Sequence, residues 1–119
     1  MKSIVGVLTL LLFCCSCGSQ AKRSDNIRLT KLKQEFGQRY EISAEADLYL
    51  KARALNDIAP SKEEAFSVYR AFWLDGADQP RKDTSFVYLN VYNKQGVFQF
   101  QVFWSPQNQA LEISQTEHY

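Results

Sequence analysis

The chain has 119 residues, with 14 Lys+Arg against 13 Asp+Glu, one histidine and three cysteines. That length fits a single domain with a modest core, and the near-balanced charge offers no basic face of the kind nucleic acid requires. Every cysteine lies at position 14, 15 or 17. From Gly18 onward there is thus no disulfide, thiol nucleophile or thiolate metal site.

The first element is an apolar run, Ile4 to Phe13, preceded by Lys2 and followed by Cys14-Cys15-Ser16-Cys17. A charged start, a short apolar stretch and small residues at its end form an export signal. A permanent anchor would need about 20 apolar residues, and this run is shorter. Cys14-Cys15-Ser16-Cys17 resembles the cleavage box of bacterial lipoproteins, in which a small residue precedes a cysteine that receives diacylglycerol and becomes the new N-terminus. Ser16 makes Cys17 the best match; Cys15, preceded by Cys14, is the other candidate. The resemblance implies a leader over 1–16, a lipidated tether over 17–25 and a body over 26–119. It also implies attachment to the outer membrane facing the periplasm, because Gly18 stands where retained lipoproteins carry Asp. Lys2 would leave with the leader, so residues 17–119 have equal numbers of basic and acidic side chains.

Beyond the tether, Leu29, Leu32 and Phe36 fall at i, i+3 and i+7, which predicts a short helix capped by Asp25 or Asn26 and ended by Gly37. Lys31 and Lys33 lie off its apolar stripe and read as a solvated face. Residues 41–54 are rich in alanine, a helix former. Their pattern has period two, with Ile42, Ala44, Ala46, Leu48, Leu50, Ala52 and Ala54 apolar between polar neighbours, Tyr49 excepted. Period two predicts strand, with a hairpin breaking near 44–47; a helix N-capped by Ser43 is the alternative. Ser61-Lys62-Glu63-Glu64 matches the S-x-x-E capping box, and Ala65, Phe66, Tyr69, Phe72 and Trp73 continue at helical spacing to about Leu74. Three strands follow, over 85–92, 97–104 and 110–117. They are joined by Asn93-Lys94-Gln95-Gly96 and Ser105-Pro106-Gln107-Asn108, whose residues suit tight turns. The fold class expected is α+β: a short N-terminal helix, one or two strands, one capped helix and a three-stranded antiparallel meander, with both helices on one side of the sheet.

Catalytic equipment is sparse. His118 stands one residue from the C-terminus, where an orienting partner is seldom available. Glu63 and Glu64 are adjacent and diverge on a helix, so capping explains them better than a two-carboxylate mechanism. Asp75, Asp78 and Asp83 share a loop without EF-hand spacing. No metal or cofactor is expected. The unusual enrichment is aromatic, in the final strands. Tyr88, Tyr92 and Trp104 are the expected contact residues of an exposed aromatic patch. The leading expectation is a non-enzymatic envelope lipoprotein that binds another envelope protein through its sheet, as an immunity or inhibitor protein would. The alternatives are a periplasmic carrier of a small ligand or lipid, and a carboxylate-dependent hydrolase using Asp83.

Overall fold

The computed structural model describes residues 20–46, 48–74, 79–84 and 86–116. These form helix α1 (Gln20–Phe36), strands β1 (Tyr40–Ala46) and β2 (Tyr49–Ala54), helix α2 (Lys62–Trp73), and strands β3 (Tyr88–Tyr92), β4 (Phe98–Ser105) and β5 (Ala110–Ser114). The class is α+β, as the sequence predicts. The five strands make one mixed sheet in chain order, β1-β2-β3-β4-β5.

Tyr40–Ala46 and Tyr49–Ala54 are strands, paired as an antiparallel hairpin with Ile42 opposite Ala52 and Ala44 opposite Leu50. The period-two pattern outweighs alanine's helix propensity because it lets one face bury Tyr40, Ile42, Leu50, Ala52 and Ala54 together. β2 then pairs with β3 in parallel, Leu50 beside Leu89 and Ala52 beside Val91. Parallel neighbours need a crossover connection, and α2 supplies it. β3, β4 and β5 form the predicted antiparallel meander. Gly96 takes φ 81° in the first turn. Its amide donates to the Asn93 carbonyl at 2.9 Å. In the second turn the positive φ falls on Gln109, at 51°, one residue beyond the expected asparagine.

Both helices pack on the same face of the sheet. Leu32 of α1 and Ala65, Val68, Tyr69, Phe72 and Trp73 of α2 join the strand residues in one core. α2 begins as its sequence dictates: Ser61 accepts from the Glu64 amide, and the Glu64 carboxylate accepts from the Ser61 amide. α1 begins earlier than its predicted cap. It is helical from Gln20, so it includes much of the stretch expected to be tether, and Asp25 lies within it rather than capping it. Asp25 is buried and paired with Arg81 at 2.9 Å. At the other end, a Cβ on Gly37 would collide with the Lys33 carbonyl, which is why glycine ends this helix.

β3 starts three residues later than the aromatic run suggests. The amides of Val87 and Tyr88 both donate to the Leu48 carbonyl, at 2.8 and 3.0 Å. The Tyr69 hydroxyl donates to the Val87 carbonyl and accepts from the Trp104 amide, standing where a ladder bond would otherwise form. Trp73, stacked on Tyr69 with ring centroids 4.3 Å apart, donates its indole N–H to the Phe86 carbonyl at 2.8 Å. Phe86 consequently turns to the helix side and meets Phe72 edge-on, rather than sharing a face with Tyr88. Burial pushes the Tyr69 phenol pKa well above its usual value, so it is a permanent donor at physiological pH.

Candidate functional site

The face of the sheet turned away from both helices carries the odd-numbered residues of β2, the even-numbered residues of β3, and Gln101 and Phe103 of β4, with Phe98 brought opposite Tyr92 by a register shift. Tyr49 stacks on Tyr88 with centroids 5.2 Å apart, and Tyr88 meets Phe103 at 6.3 Å. Near the other end Tyr92 meets Phe98 edge-on at 5.9 Å, and the Lys51 ammonium lies 4.8 Å from the Tyr92 ring. Rings at these separations gain from their quadrupoles as well as from burial. They form a row across three adjacent strands.

Beneath the aromatic row runs a polar chain. The Gln101 amide donates to the Asn90 carbonyl oxygen at 2.8 Å, the Asn90 amide donates to Glu45 at 3.4 Å, and the Tyr92 hydroxyl donates to both Glu45 oxygens at 3.1 Å. Asn90 is 0% exposed and Gln101 1%, although neither helix covers this face. Their aromatic neighbours and the leaning Glu45 side chain enclose them. β1 and β3 are two strand spacings apart, roughly 10 Å, so Glu45 and Asn90 must lean over β2 to meet. The register shift between Ala44 and Ala46 places Glu45 in a bulge of β1, a common way to re-aim a side chain. No buried side-chain polar atom among the described residues lacks a partner. A fully bonded network of this kind rigidifies its face and fixes strand register. The rim is charged: Arg53 pairs with Glu41 at 3.3 Å, beside Lys51.

The expected contact residues separate. Tyr88 and Tyr92 are both on this face, Tyr88 half-buried and Tyr92 only 5% exposed. Trp104 is not with them. It lies on the helix side, half-buried against the core, where it helps to line a groove with Phe66, Arg70 and Leu111. Tyr49, Phe103 and Glu45 complete the open face and were missed as site residues. Tyr49 had a signal, as the aromatic that breaks the alternation of 41–54. Phe103 had one too, as the aromatic opposite Trp104 in β4.

The remaining candidates are placed as follows. Cys15, Cys17, Asp75, Asp78 and His118 lie outside the described residues. Asp83 accepts from the Ser24 hydroxyl at 2.9 Å and from Arg81 at 3.0 Å, and these interactions lower its carboxyl pKa. Glu63 is exposed in the first turn of α2, while Glu64 is engaged in the cap. Among the described residues no cluster of His, Cys, Asp and Glu could hold a metal ion, and no helix is long and apolar enough to cross a membrane. Comparison with protein-family models, curated proteins and solved structures gives no match.

Proposed function

We propose that this chain is a small envelope lipoprotein, anchored through Cys17 in the outer membrane, that binds another envelope protein through the open face of its sheet without catalysing a reaction. An inhibitor or immunity role is the specific form of this reading. The observation that carries it is the pair Tyr88 and Phe103, half-buried and left uncovered by either helix, backed by the buried Tyr49 and braced from below by Glu45, Asn90 and Gln101. An aromatic centre with a charged rim is the composition of protein interfaces. Aromatic residues also dominate binding energy where they are held rigid. Tyr88 and Phe103, both half-buried, are the contact residues in this proposal. Tyr92 holds Glu45 in place from within the network, and Trp104 belongs to the helix side.

Site-specific photocrosslinking in the native envelope tests the proposal. A photoreactive phenylalanine at position 103 is expected to give one discrete protein adduct, and the same group at Arg70, on the helix side, is expected to give none. The Tyr88→Ser variant should lose the adduct while its melting temperature falls by no more than a few degrees. Equal adducts from both positions, or none from either, would contradict the proposal.

A further inference from the structure

Charge is unevenly distributed over the body. Helix α1 and the loop 79–84 together hold seven basic and three acidic residues, a net +4. Since residues 17–119 are formally neutral, everything else in that span sums to −4. Two grooves meet on the positive part. One, of about 710 Å³, is lined by Arg23, Ile27, Arg28 and Lys31 of α1, with Glu35 on the same helix and Asp83 across from them. The other, beside it, is lined by Arg28, Pro80, Arg81 and Lys82. Arg23, Lys31 and Lys82 are exposed. Ile27, between Arg23 and Arg28 on the same helix face, is 54% exposed. Two of the three acids do not offset this surface fully. Asp25 is spent on the buried Arg81, and Asp83 is shared between Arg81 and Ser24.

We infer that α1 and the 79–84 loop are a docking surface for anionic phospholipid headgroups. The inference rests on the lipidated Cys17 proposed above, and it adds the orientation of the body on the bilayer. Cys17 is three residues ahead of Gln20, so even a fully extended link reaches only about 10 Å. The lipid therefore delivers the first turns of α1 to the headgroup layer. There each basic side chain near an anionic surface contributes about 1 kcal/mol, and the exposed Ile27 meets the edge of the acyl region. The acidic remainder of the body is repelled by the same surface. Because α1 packs on the helix side of the sheet, this docking turns the aromatic open face away from the membrane, toward soluble or neighbouring partners.

The test uses the mature lipidated protein reconstituted into vesicles of neutral phosphatidylcholine, or of the same lipid with one third phosphatidylglycerol. Amine-reactive labelling is read residue by residue. Labelling of Lys31 and Lys82 is expected to fall at least several-fold on the anionic vesicles and to recover in high salt. Lys62 and Lys94 should be unchanged. The double variant Arg23→Glu, Lys82→Glu alters only exposed side chains, and its fold is checked by circular dichroism. In it, protection of Lys31 on anionic vesicles should vanish. Equal labelling of Lys31 and Lys82 on both vesicle types would overturn the inference. So would their protection by inorganic phosphate alone at matched ionic strength, which would assign the grooves to a free anion. Flotation with neutral vesicles reads the anchor separately. If the protein fails to float there, the lipoprotein reading falls, and flotation with anionic vesicles alone still decides for or against headgroup docking.

Discussion

Arg81 ties α1, the end of α2 and the 79–84 loop together. Its guanidinium, 2% exposed, donates to Asp25 of α1 at 2.9 Å, to the Phe72 carbonyl at the end of α2 at 3.1 Å and to Asp83 at 3.0 Å. It also lies 5.1 Å from the Phe72 ring centroid. Its own amide donates to the Trp73 carbonyl at 2.7 Å. A cation at the C-terminus of α2 meets the negative end of that helix and satisfies carbonyls that have no partner within it. Burial pulls the pKa of Arg81 down, but a guanidinium remains charged at any physiological pH. Removing one member of a buried pair strands the other, at a cost of about 3–5 kcal/mol. Arg81→Met should lower the unfolding free energy measured in urea by that amount. The double change Arg81→Met with Asp25→Leu should recover at least half of the loss, because no uncompensated charge is left inside. A single variant as stable as the wild type would show that the pair does not hold α1 to the loop.

The start of α2 depends on a similar junction, built by the element rather than by one residue. Arg39 donates to Glu64 at 2.8 Å, to the Asn56 side chain at 2.6 Å and to the Ile58 carbonyl at 2.9 Å, joining the end of α1, the loop after β2 and the capping box. The Arg39 hydrogen bond, aided by the Ser61 amide and the Tyr40 hydroxyl, holds the Glu64 carboxyl at about 2, against an ordinary 4.5. Burial and the Glu64 charge push Tyr40 up to about 12. A depressed carboxyl stabilises the fold fully above pH 4.5 and loses that contribution as pH falls toward 2. Because the Glu64 side chain is 36% exposed, screening limits the gain to about 1 kcal/mol. Glu64→Gln should therefore be less stable than wild type by that amount at pH 7, with the gap closing between pH 4.5 and 2 in acid-urea titrations. A gap independent of pH would assign the cap to hydrogen bonding alone.

These elements also show what the sequence makes legible. The capping box, the Asn93–Gly96 turn and the period-two alternation of 41–54 are local, and each is present where local rules put it. The start of α1 was hidden because the chain continues helical through Asp25, whose partner Arg81 is 56 residues away. The late start of β3 was hidden for the same reason: Leu48, Tyr69 and Trp73 claim the backbone groups of 86–88. The parallel pairing of β2 with β3 likewise depends on where α2 returns the chain. At the candidate site, Tyr88 and Tyr92 could be assigned a shared face by counting along one strand. Placing Trp104 against them required knowing that Leu89 pairs with Val102, which sends Trp104 to the helix side.

For the molecule as a whole, the three features reinforce one another in the proposed account. A leader ending at Cys17 supplies the anchor, the basic α1 and loop 79–84 turn that side to the headgroups, and the sheet faces outward with its aromatic row. None of the three gives the others a role unless the chain is lipidated. Metabolic labelling with radioactive palmitate, run on wild type and on Cys17→Ser, tests that condition most directly. The account predicts label on the wild-type protein in the membrane fraction and none on Cys17→Ser. An unlabelled, full-length wild type in the soluble fraction, or a Cys17→Ser variant labelled as strongly as wild type, would contradict it.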